Sequence, residues 1–371
     1  MVGWLSARED HGYVPVLHDM IQELGGSVDL HVFAMRSPTN RGQFGTKFAQ
    51  IHCIGGGNAR RMQRLPMFGR TLQALINEHR RGRFDVLHGL GIDECGSVVV
   101  AAGRMTRVPT LISVMGGELV AYQDLHYGSG LTRSNTILAR LALRGAHRVT
   151  VACRPVARQV EGALSPSQHH KIAHFVLGID PTLFEQALPR KDIAGSFRVL
   201  HVAGLRPPKD QPLLLRAFSR FRSRNPGAHL HIAGDGELHA ALTAQVAALG
   251  MSDAVTFHGL LSRPELADLY RAADVLVLSS RNEGECIAAL EAALCGLPIV
   301  STHVGVMADL APHAALTVPP LDEESLASAL EKALDPEIRR SLAAEARTLV
   351  RAEHTAARSV QKLLALYGQV M

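Results

Sequence analysis

Short apolar segments alternate with longer amphipathic segments along the whole chain, and this alternation restricts the fold more than any other feature. Helix-like stretches of ten or more residues separate most of the apolar segments. Such βα alternation predicts parallel sheets with helices on both faces, where strands are apolar almost throughout. The predicted strands are Val28–Met35, Phe84–His88, Thr110–Val114, Arg148–Ala152, Ile172–Leu177, Arg198–Ala203, His229–Ala233, Val255–His258, Val275–Leu278 and Pro298–Ser301.

A length of 371 residues suits two α/β domains of similar size. A polar, proline-containing stretch over residues 181–196 separates two runs of strands. We therefore predict an N-terminal Rossmann-like domain over 1–180 and a C-terminal one over 197–354. Before the first predicted helix, which begins near Pro15, only Met1–Ser6 offers a strand, so the first strand is expected to be very short or truncated.

Composition favours a globular protein of a reducing compartment. The apolar fraction is 47% and the charged fraction 20%. The five cysteines form no CxxC pair and have no zinc-site spacing, so free thiols and no metal site are expected. No apolar run reaches the roughly 18 residues that span a bilayer, and no signal-peptide pattern opens the chain. We expect a cytoplasmic protein.

The segment Ser279–Pro298 carries the densest functional signal. A strand ends at Leu278, the chain turns through Gly284, and a helix is predicted over about Glu285–Leu294. A helix N-terminus after a glycine offers free backbone N–H groups to an anion such as a diphosphate. Ligands of open α/β sheets bind at the carboxyl ends of strands, which is where this loop lies.

Glu291 stands in the middle of this helix among alanines and leucines. A helix that is apolar all round is buried, and a buried carboxylate requires hydrogen-bond donors. Sugar hydroxyls are one source of donors. An arginine or a backbone N–H of the protein is the alternative source.

This segment closely resembles the family-4 retaining glycosyltransferases, whose pattern runs small-Ser-x-x-Glu-Gly with a second Glu eight residues after the first. The resemblance implies that Glu283 lies by the donor sugar and that Glu291 binds the nucleotide ribose. It also implies that the backbone of Glu283–Ile287, which includes Gly284, Glu285 and Cys286, passes around the sugar and diphosphate.

Three further stretches resemble the same family. His201–Asp210 matches the strand and basic loop that grip the donor diphosphate, which assigns Lys209 and, one or two positions from the usual arginine, Arg206 to the phosphates. Without the resemblance, both cations read equally well as solvated loop charges. Gly234, Asp235 and Gly236 match the turn that lies against the nucleotide, and Leu260 matches a backbone contact to the base.

The resemblance implies the GT-B fold, two Rossmann-like domains facing across a cleft, with a last helix over 355–371 returning to the N-terminal domain. It implies metal-independent, retaining transfer from a nucleotide-diphosphate sugar to a glycan, lipid-linked or small-molecule acceptor, with no cofactor. A non-catalytic nucleotide-sugar-binding subunit and a nucleotide-sugar epimerase are the alternatives.

The N-terminal half departs from the family at a position that often holds a catalytic-site histidine. Met115 stands there, with Glu118, Asp124 and His126 nearby, and Glu118 is our candidate replacement. His88, at the end of a predicted strand, reads more readily as a structural histidine than as a catalyst.

Basic residues are concentrated in the N-terminal half. Residues 1–180 hold 20 Lys and Arg against 13 Asp and Glu, a surplus of +7, whereas the remainder has 19 against 21. Few aromatic residues accompany the arginines, which argues against nucleic acid. Two alternatives are open for Gly57–Arg70. Either its apolar residues pack into the domain core and its arginines face water, or the segment docks on an anionic membrane surface, with candidate contacts Arg60, Arg61, Arg64, Met62, Leu65, Met67 and Phe68.

Overall fold

The computed structural model describes residues 1–3, 15–35, 42–55, 64–185 and 192–371, without the side chains of Pro15 and Arg64. The chain divides into two compact units. The first unit comprises Met1–Gly178 together with Ala356–Met371, and the second comprises Ile179–Thr355.

The first unit is built on an eight-stranded sheet with the order β3-β4-β2-β1-β5-β6-β7-β8. All neighbouring pairs are parallel except β3 and β4, which form an antiparallel pair at one edge. The strands are β1 (Val2–Gly3), β2 (His31–Ala34), β3 (Gly42–Gly45), β4 (Gln50–Cys53), β5 (Leu87–Leu90), β6 (Thr110–Val114), β7 (Arg148–Val151) and β8 (Ile172–His174).

Amphipathic helices follow the strands of this sheet, and all but the first of them bury apolar side chains in one core. The helices are α1 (Pro15–Gly25), α2 (Arg64–Arg81), α3 (Glu94–Thr106), α4 (Arg133–Gly145) and α5 (Arg154–Ala163). Two 3₁₀ turns, Ser129–Leu131 and Pro166–Lys171, belong to the same unit.

The second unit is a six-stranded, wholly parallel sheet with the order β11-β10-β9-β12-β13-β14. Its strands are β9 (Phe197–Val202), β10 (Ala228–Ala233), β11 (Val255–Gly259), β12 (Val275–Leu278), β13 (Ile299–Thr302) and β14 (Leu316–Val318). Its helices are α6 (Gln211–Arg224), α7 (His239–Ala248), α8 (Arg263–Ala272), α9 (Ile287–Leu294), α10 (Met307–Leu310), α11 (Glu323–Lys332) and α12 (Pro336–Glu353).

The last helix, α13 (Ala356–Gly368), belongs to the first unit and packs against α1. Tyr367 of α13 places its hydroxyl 2.8 Å from Nδ1 of His88 on β5. The segment predicted to return to the N-terminal domain is therefore a helix that completes the first unit.

The α/β class and the parallel sheets predicted from the sequence are confirmed, and every predicted strand overlaps an observed one. The sequence patterns missed the β3–β4 pair because β3, Gly-Gln-Phe-Gly, is exposed along its whole length and has a single apolar side chain, too few to form a detectable alternation. They also missed β14, which has only three residues.

The amphipathic interface segment predicted over Gly57–Arg70 is only partly described, since residues 56–63, among them Arg60, Arg61 and Met62, lie outside the described residues. Within α2, Met67 is fully buried and Phe68 packs against the first core. For these two side chains the structure supports the core-packing alternative and not the lipid-facing one. Leu65 is exposed.

Among the described residues, no helix is long and apolar enough to cross a membrane.

Candidate functional site

The carboxyl edge of the second sheet has a topological switch point between β9 and β12. From β9 the chain proceeds to β10 and β11 on one side, and β12 lies on the other. The loops after β9 and β12 meet there, because the N–H of Arg281 donates to the carbonyl of Pro208 at 2.8 Å and the hydroxyl of Ser279 donates to that of Lys209 at 2.8 Å. Such a crevice is the usual ligand site of an open α/β sheet.

Lys209 and Glu283 form an ion pair across these two loops. Lys209 Nζ lies 2.5 Å from Glu283 Oε1, and the hydroxyl of Ser280 donates to the same oxygen at 2.6 Å. The side chain of Lys209 is 28% exposed and that of Glu283 only 9%. The structure therefore brings together two of the predicted catalytic residues, and Lys209 is the more exposed of the two.

Three residues with positive φ hold the loops in this arrangement. Asp210 (φ 46°) caps α6 directly after Lys209, and Cys286 (φ 53°) caps α9 three residues after Glu283. Gly305 (φ 56°) packs so closely on this loop that a Cβ there would lie 2.6 Å from Cβ of Glu283. Non-glycine residues in the left-handed region are uncommon and cluster at functional sites.

The helix α9 begins at Ile287, two residues later than predicted, because Cys286 takes the left-handed conformation. Gly284 and Glu285 lie in the loop that precedes it and are partly exposed. The first N–H groups of α9 therefore follow directly on the loop that carries Glu283, as anion binding requires.

Glu291 is buried on α9, as predicted, and its Oε2 accepts a hydrogen bond from the Tyr270 hydroxyl at 3.0 Å. One donor is thus the phenol of Tyr270 on α8, which was not among the donors considered from the sequence. Tyr270 is fully buried, and burial together with the Glu291 carboxylate raises the pKa of its phenol. This bond fixes the carboxyl group and involves one of its two oxygens.

The glycine-acid-glycine turn after β10 fits tightly against the loop after β9. A Cβ on Gly234 would lie 2.0 Å from the Ala203 carbonyl oxygen, and one on Gly236 would lie 2.4 Å from that of Leu205. The Leu205 N–H donates to the Asp235 carbonyl at 3.0 Å. Only glycine fits at both positions, so the turn positions the backbone beside Lys209.

The other predicted contacts at this edge are exposed. Arg206 precedes the 3₁₀ turn Pro207–Lys209, and Asp235 accepts a hydrogen bond from the N–H of Gly236 at 2.8 Å. Leu260, directly after β11, is 80% exposed, which suits a residue that faces a ligand.

Two family models match the chain in succession. A model described as "Glycosyl transferase 4-like domain" matches residues 11–174, and one described as "Glycosyl transferases group 1" matches residues 186–349.

The chain belongs to the group 1 glycosyltransferases.

Curated relatives in this family match parts of the chain. A D-inositol 3-phosphate glycosyltransferase of Arthrobacter sp. is 38% identical over 138 residues, which is 34% of this chain and 33% of the relative. A mannosylfructose-phosphate synthase of Agrobacterium fabrum is 36% identical over 144 residues, 36% of this chain and 32% of the relative. The matches thus span about a third of the length of these two relatives.

A solved structure matches along the whole chain. HepE of Anabaena, in complex with UDP and glucose, has a TM-score of 0.76 at 17% identity and covers 99% of both chains. This similarity confirms the GT-B fold predicted from the sequence.

In this group 1 glycosyltransferase, Glu118 belongs to the first unit and follows β6. Its Oε1 accepts from the N–H of Met115 at 2.9 Å and its Oε2 from that of Gly116 at 2.7 Å. Burial raises the pKa of the carboxyl group. Both carboxylate oxygens of Glu118 therefore accept hydrogen bonds from the loop that carries the residue. This arrangement favours stabilisation of the loop over direct contact with a sugar.

The two other candidates in that loop, Asp124 and His126, are exposed. His88 is buried, and its two ring nitrogens lie 2.8 Å from the hydroxyls of Tyr367 and Ser113. These contacts join β5 to α13 and β6, which agrees with the structural interpretation of His88.

A group of three residues in the first unit could hold a metal ion, namely His31, His52 and Glu78, whose ligand atoms lie within 4.8 Å of one another. His31 Nδ1 lies 3.0 Å from His52 Nε2, and Gln43 Nε2 lies 2.8 Å from His52 Nδ1 and donates to Glu78 at 3.2 Å. Arg81 pairs with the same carboxylate at 2.5 Å. The polar atoms already satisfy one another, so the group serves the β3–β4 edge.

Three residues that shape the crevice between β9 and β12 were not singled out from the sequence. Ser280 bonds to Glu283, Tyr270 bonds to Glu291, and Gly305 packs on the Glu283 loop. Gly305 had a detectable signal, since it follows a strand of the same sheet. Ser280 is the serine of the Ser-x-x-Glu pattern, three residues before Glu283, but no role was assigned to it. The role of Tyr270 depends on a contact with a residue 21 positions away and left no local pattern.

Proposed function

We propose that this group 1 glycosyltransferase moves a sugar from a nucleotide-diphosphate sugar to an acceptor with retention of configuration. The observation that carries the proposal is the Lys209–Glu283 pair at the switch point of the second sheet, beside the N-terminus of α9. A cation, a carboxylate and free backbone N–H groups at one crevice match the needs of a diphosphate joined to a sugar.

In this proposal, the positively charged groups of the crevice bind the diphosphate. Lys209 is partly exposed, Arg206 is exposed three residues before it, and the first N–H groups of α9 follow the Glu283 loop. Negative charge builds on the diphosphate as the bond to the sugar breaks, and preorganised donors stabilise that charge. The HepE structure, which holds UDP and glucose on a similar fold, supports a nucleotide sugar as donor.

The carboxylates bind hydroxyl groups. Both hydrogen bonds described for Glu283 end on Oε1, so Oε2 is the oxygen that accepts from the donor sugar. Glu291 accepts a bond from Tyr270, and we assign the ribose hydroxyls to it as additional donors. Gly234, Asp235, Gly236 and Leu260 border the nucleotide.

Retention follows in this proposal from attack on the same face from which the diphosphate departs, with the leaving phosphate accepting the proton of the acceptor hydroxyl. No side-chain nucleophile is required. Lys209 and Arg206 supply the positive charge, and so we propose that transfer needs neither a metal nor a cofactor. Transfer that persists in EDTA would support this part.

The acceptor is proposed to bind to the first unit, which carries the basic surplus. The names of the relatives include phosphorylated small molecules, and an anionic acceptor, small or lipid-linked, suits this charge. We propose a cytoplasmic protein that acts at the inner face of the membrane when the acceptor is lipid-linked.

Labelled nucleotide sugars test the proposal. UDP- and GDP-sugars are incubated with the purified protein and with candidate acceptors, and released nucleotide and glycosylated product are measured. NMR of the product gives its anomeric configuration, which we expect to equal that of the donor. Binding without turnover would indicate a non-catalytic subunit, epimerised donor would indicate an epimerase, and an inverted product would contradict the retaining mechanism.

A further inference from the structure

The outer side of α4 combines exposed aliphatic side chains with arginines. Ile137 is 58% and Leu141 53% exposed, and Leu138 is also exposed. Residues three or four apart share one side of a helix, so Arg133, Arg140 and Arg144 flank these side chains. We call this surface the α4 face; it consists of Arg133, Ile137, Leu138, Arg140, Leu141 and Arg144.

The chain segment that contains the α4 face carries charge of one sign. Residues 125–160 contain six arginines and neither Asp nor Glu. At the end of α3, Met105 is 65% exposed between the exposed Arg104 and Arg107. Arg104 reaches the C-terminal end of α4, since its Nη2 lies 3.1 Å from the position of a Cβ on Gly145. The surface therefore extends beyond one helix with the same chemistry.

The opposite side of α4 already packs into the core, so the fold does not need the exposed side chains of Leu138 and Leu141. Ala139, Ala142 and Leu143 are buried and belong to the first core. Exposed apolar side chains that form a contiguous surface mark a binding site more often than isolated ones do. The α4 face thus has an apolar centre that the first unit does not cover.

We propose that the α4 face docks on an anionic lipid bilayer. Aliphatic side chains of a helix lying in the interface enter the headgroup region, and the flanking arginines extend to lipid phosphates. A second copy of the chain is a poorer match, because a two-fold interface would bring like-charged arginines together. Nucleic acid is also a poorer match, because α4 has no aromatic side chain to stack on a base.

This inference rests on the proposed function for one point only, the identity of the acceptor. The loop from β6, over residues 115–132, leads directly into α4, so docking through α4 would hold that loop of the proposed acceptor unit near the bilayer. A lipid-linked acceptor would then lie in the same bilayer to which the enzyme is bound. The surface differs from α2, where Met67 and Phe68 serve the core.

Vesicle flotation tests the proposal. The full chain is mixed with vesicles of phosphatidylcholine alone or with about one quarter phosphatidylglycerol, at low and high salt of about 0.05 and 0.5 M. We expect flotation with the anionic vesicles only, strongest at low salt. Each basic residue near an anionic surface strengthens binding about fivefold, so Arg140→Ser/Arg144→Ser should weaken it at least tenfold.

Ile137→Ser/Leu141→Ser should also weaken flotation at least tenfold, because it removes the apolar contact without a change in charge. Arg80→Ser/Arg83→Ser is the matched control for charge, since both arginines are exposed in the first unit outside the α4 face. Leu65→Ser is the matched control for apolar exposure and tests the α2 surface. Both controls should float like the wild type.

Absence of flotation of the wild type with anionic vesicles at low salt would overturn the proposal, as would equal flotation of all variants. Light scattering that shows a dimer, lost in Ile137→Ser/Leu141→Ser, together with no flotation would assign the α4 face to a second copy. Calorimetry with UDP and GDP keeps the outcomes separate, because the variants should bind nucleotide like the wild type whether or not they float. Failure of nucleotide binding in the wild type would instead contradict the proposed function.

Discussion

Lys209 and Glu283 neutralise each other across two loops, and this pairing decides how each should respond to mutation. The 2.5 Å contact lies in a crevice where Glu283 is nearly buried. Removing one partner from such a pair leaves the other charge without compensation, which costs more than the pair contributes. Substitutions that preserve charge are therefore the informative comparisons at the residue scale.

Lys209→Ala should lower turnover by about 10²-fold, as loss of one charge-stabilising donor usually does. Lys209→Arg should retain part of the activity because it keeps a cation at the diphosphate. Product formation at saturating donor gives the turnover. Arg216→Ala is the control, since Arg216 is an exposed cation of the neighbouring α6 that pairs with Glu323. Equal turnover in Lys209→Ala and the wild type would refute the assignment.

Glu291→Gln should weaken nucleotide binding by about tenfold to a hundredfold, because a hydrogen bond to a charged group contributes about 1.5–3 kcal/mol. Tyr270→Phe is the matched variant, since it removes the bond to the same carboxylate but leaves the carboxylate in place. It should reduce stability by about 1 kcal/mol and leave nucleotide affinity nearly unchanged.

Calorimetry with UDP and GDP measures both variants. If Glu291→Gln is folded and binds the nucleotide as tightly as the wild type, the ribose assignment is wrong.

At the element scale, the site depends on how closely backbone segments approach one another. Gly234 and Gly236 lie against the loop after β9, and Gly305 lies against the loop after β12. Each contact excludes a Cβ, so these glycines determine where Lys209 and Glu283 stand.

Gly305→Ala should therefore lower both stability and turnover. A Cβ would meet Cβ of Glu283 at 2.6 Å and the Gly284 carbonyl oxygen at 2.7 Å, so the loop must shift. We expect a loss of about 2–4 kcal/mol in the free energy of unfolding and about tenfold or more in turnover.

Gly250→Ala separates strain in φ from the steric clash. Gly250 has a similar φ of 65°, but a Cβ there meets nothing within 4 Å. It should cost about 1 kcal/mol in urea unfolding and leave turnover unchanged. Equal effects of the two substitutions would show that the close packing on Glu283 is unimportant.

The elements that sequence patterns predicted are those with a strong apolar period. Thr110–Val114 and Val275–Leu278 are observed with the predicted bounds, because both are buried along their whole length. Glu283, Lys209 and the glycine-acid-glycine turn followed from short motifs at strand ends. The left-handed Cys286 shifted the start of α9, and no residue preference predicts a cysteine in that conformation.

At the scale of the whole molecule, buried histidines couple stability to pH. Burial lowers the pKa of His88 to about 3 and those of His52 and His201 to about 4. An unfolded histidine titrates near 6.5. Between these values the unfolded chain binds protons that the folded chain does not, so stability present above about pH 6.5 is lost as the pH falls.

Each such histidine should remove about 1.4 kcal/mol of stability per pH unit below 6.5. Urea unfolding at about pH 7.5 and pH 5 should show this loss in both units, since His88 and His52 belong to the first and His201 to the second. His201→Gln should be less stable than the wild type at pH 7.5. Its free energy of unfolding should fall less steeply as the pH decreases, by the contribution of about one proton. An unchanged pH dependence in His201→Gln would contradict a neutral, buried His201.

The position of α13 in the first unit has a consequence for biosynthesis. Residues 1–178 leave the ribosome first, yet their unit lacks α13 and the Tyr367 contact to His88 until the last residues are made. At typical elongation rates, the synthesis of residues 179–371 takes on the order of ten to forty seconds. The continuous second unit can complete itself within that interval. The first unit therefore cannot be completed until the whole second unit has been synthesised, and the surface that α13 covers needs protection in the nascent chain until then.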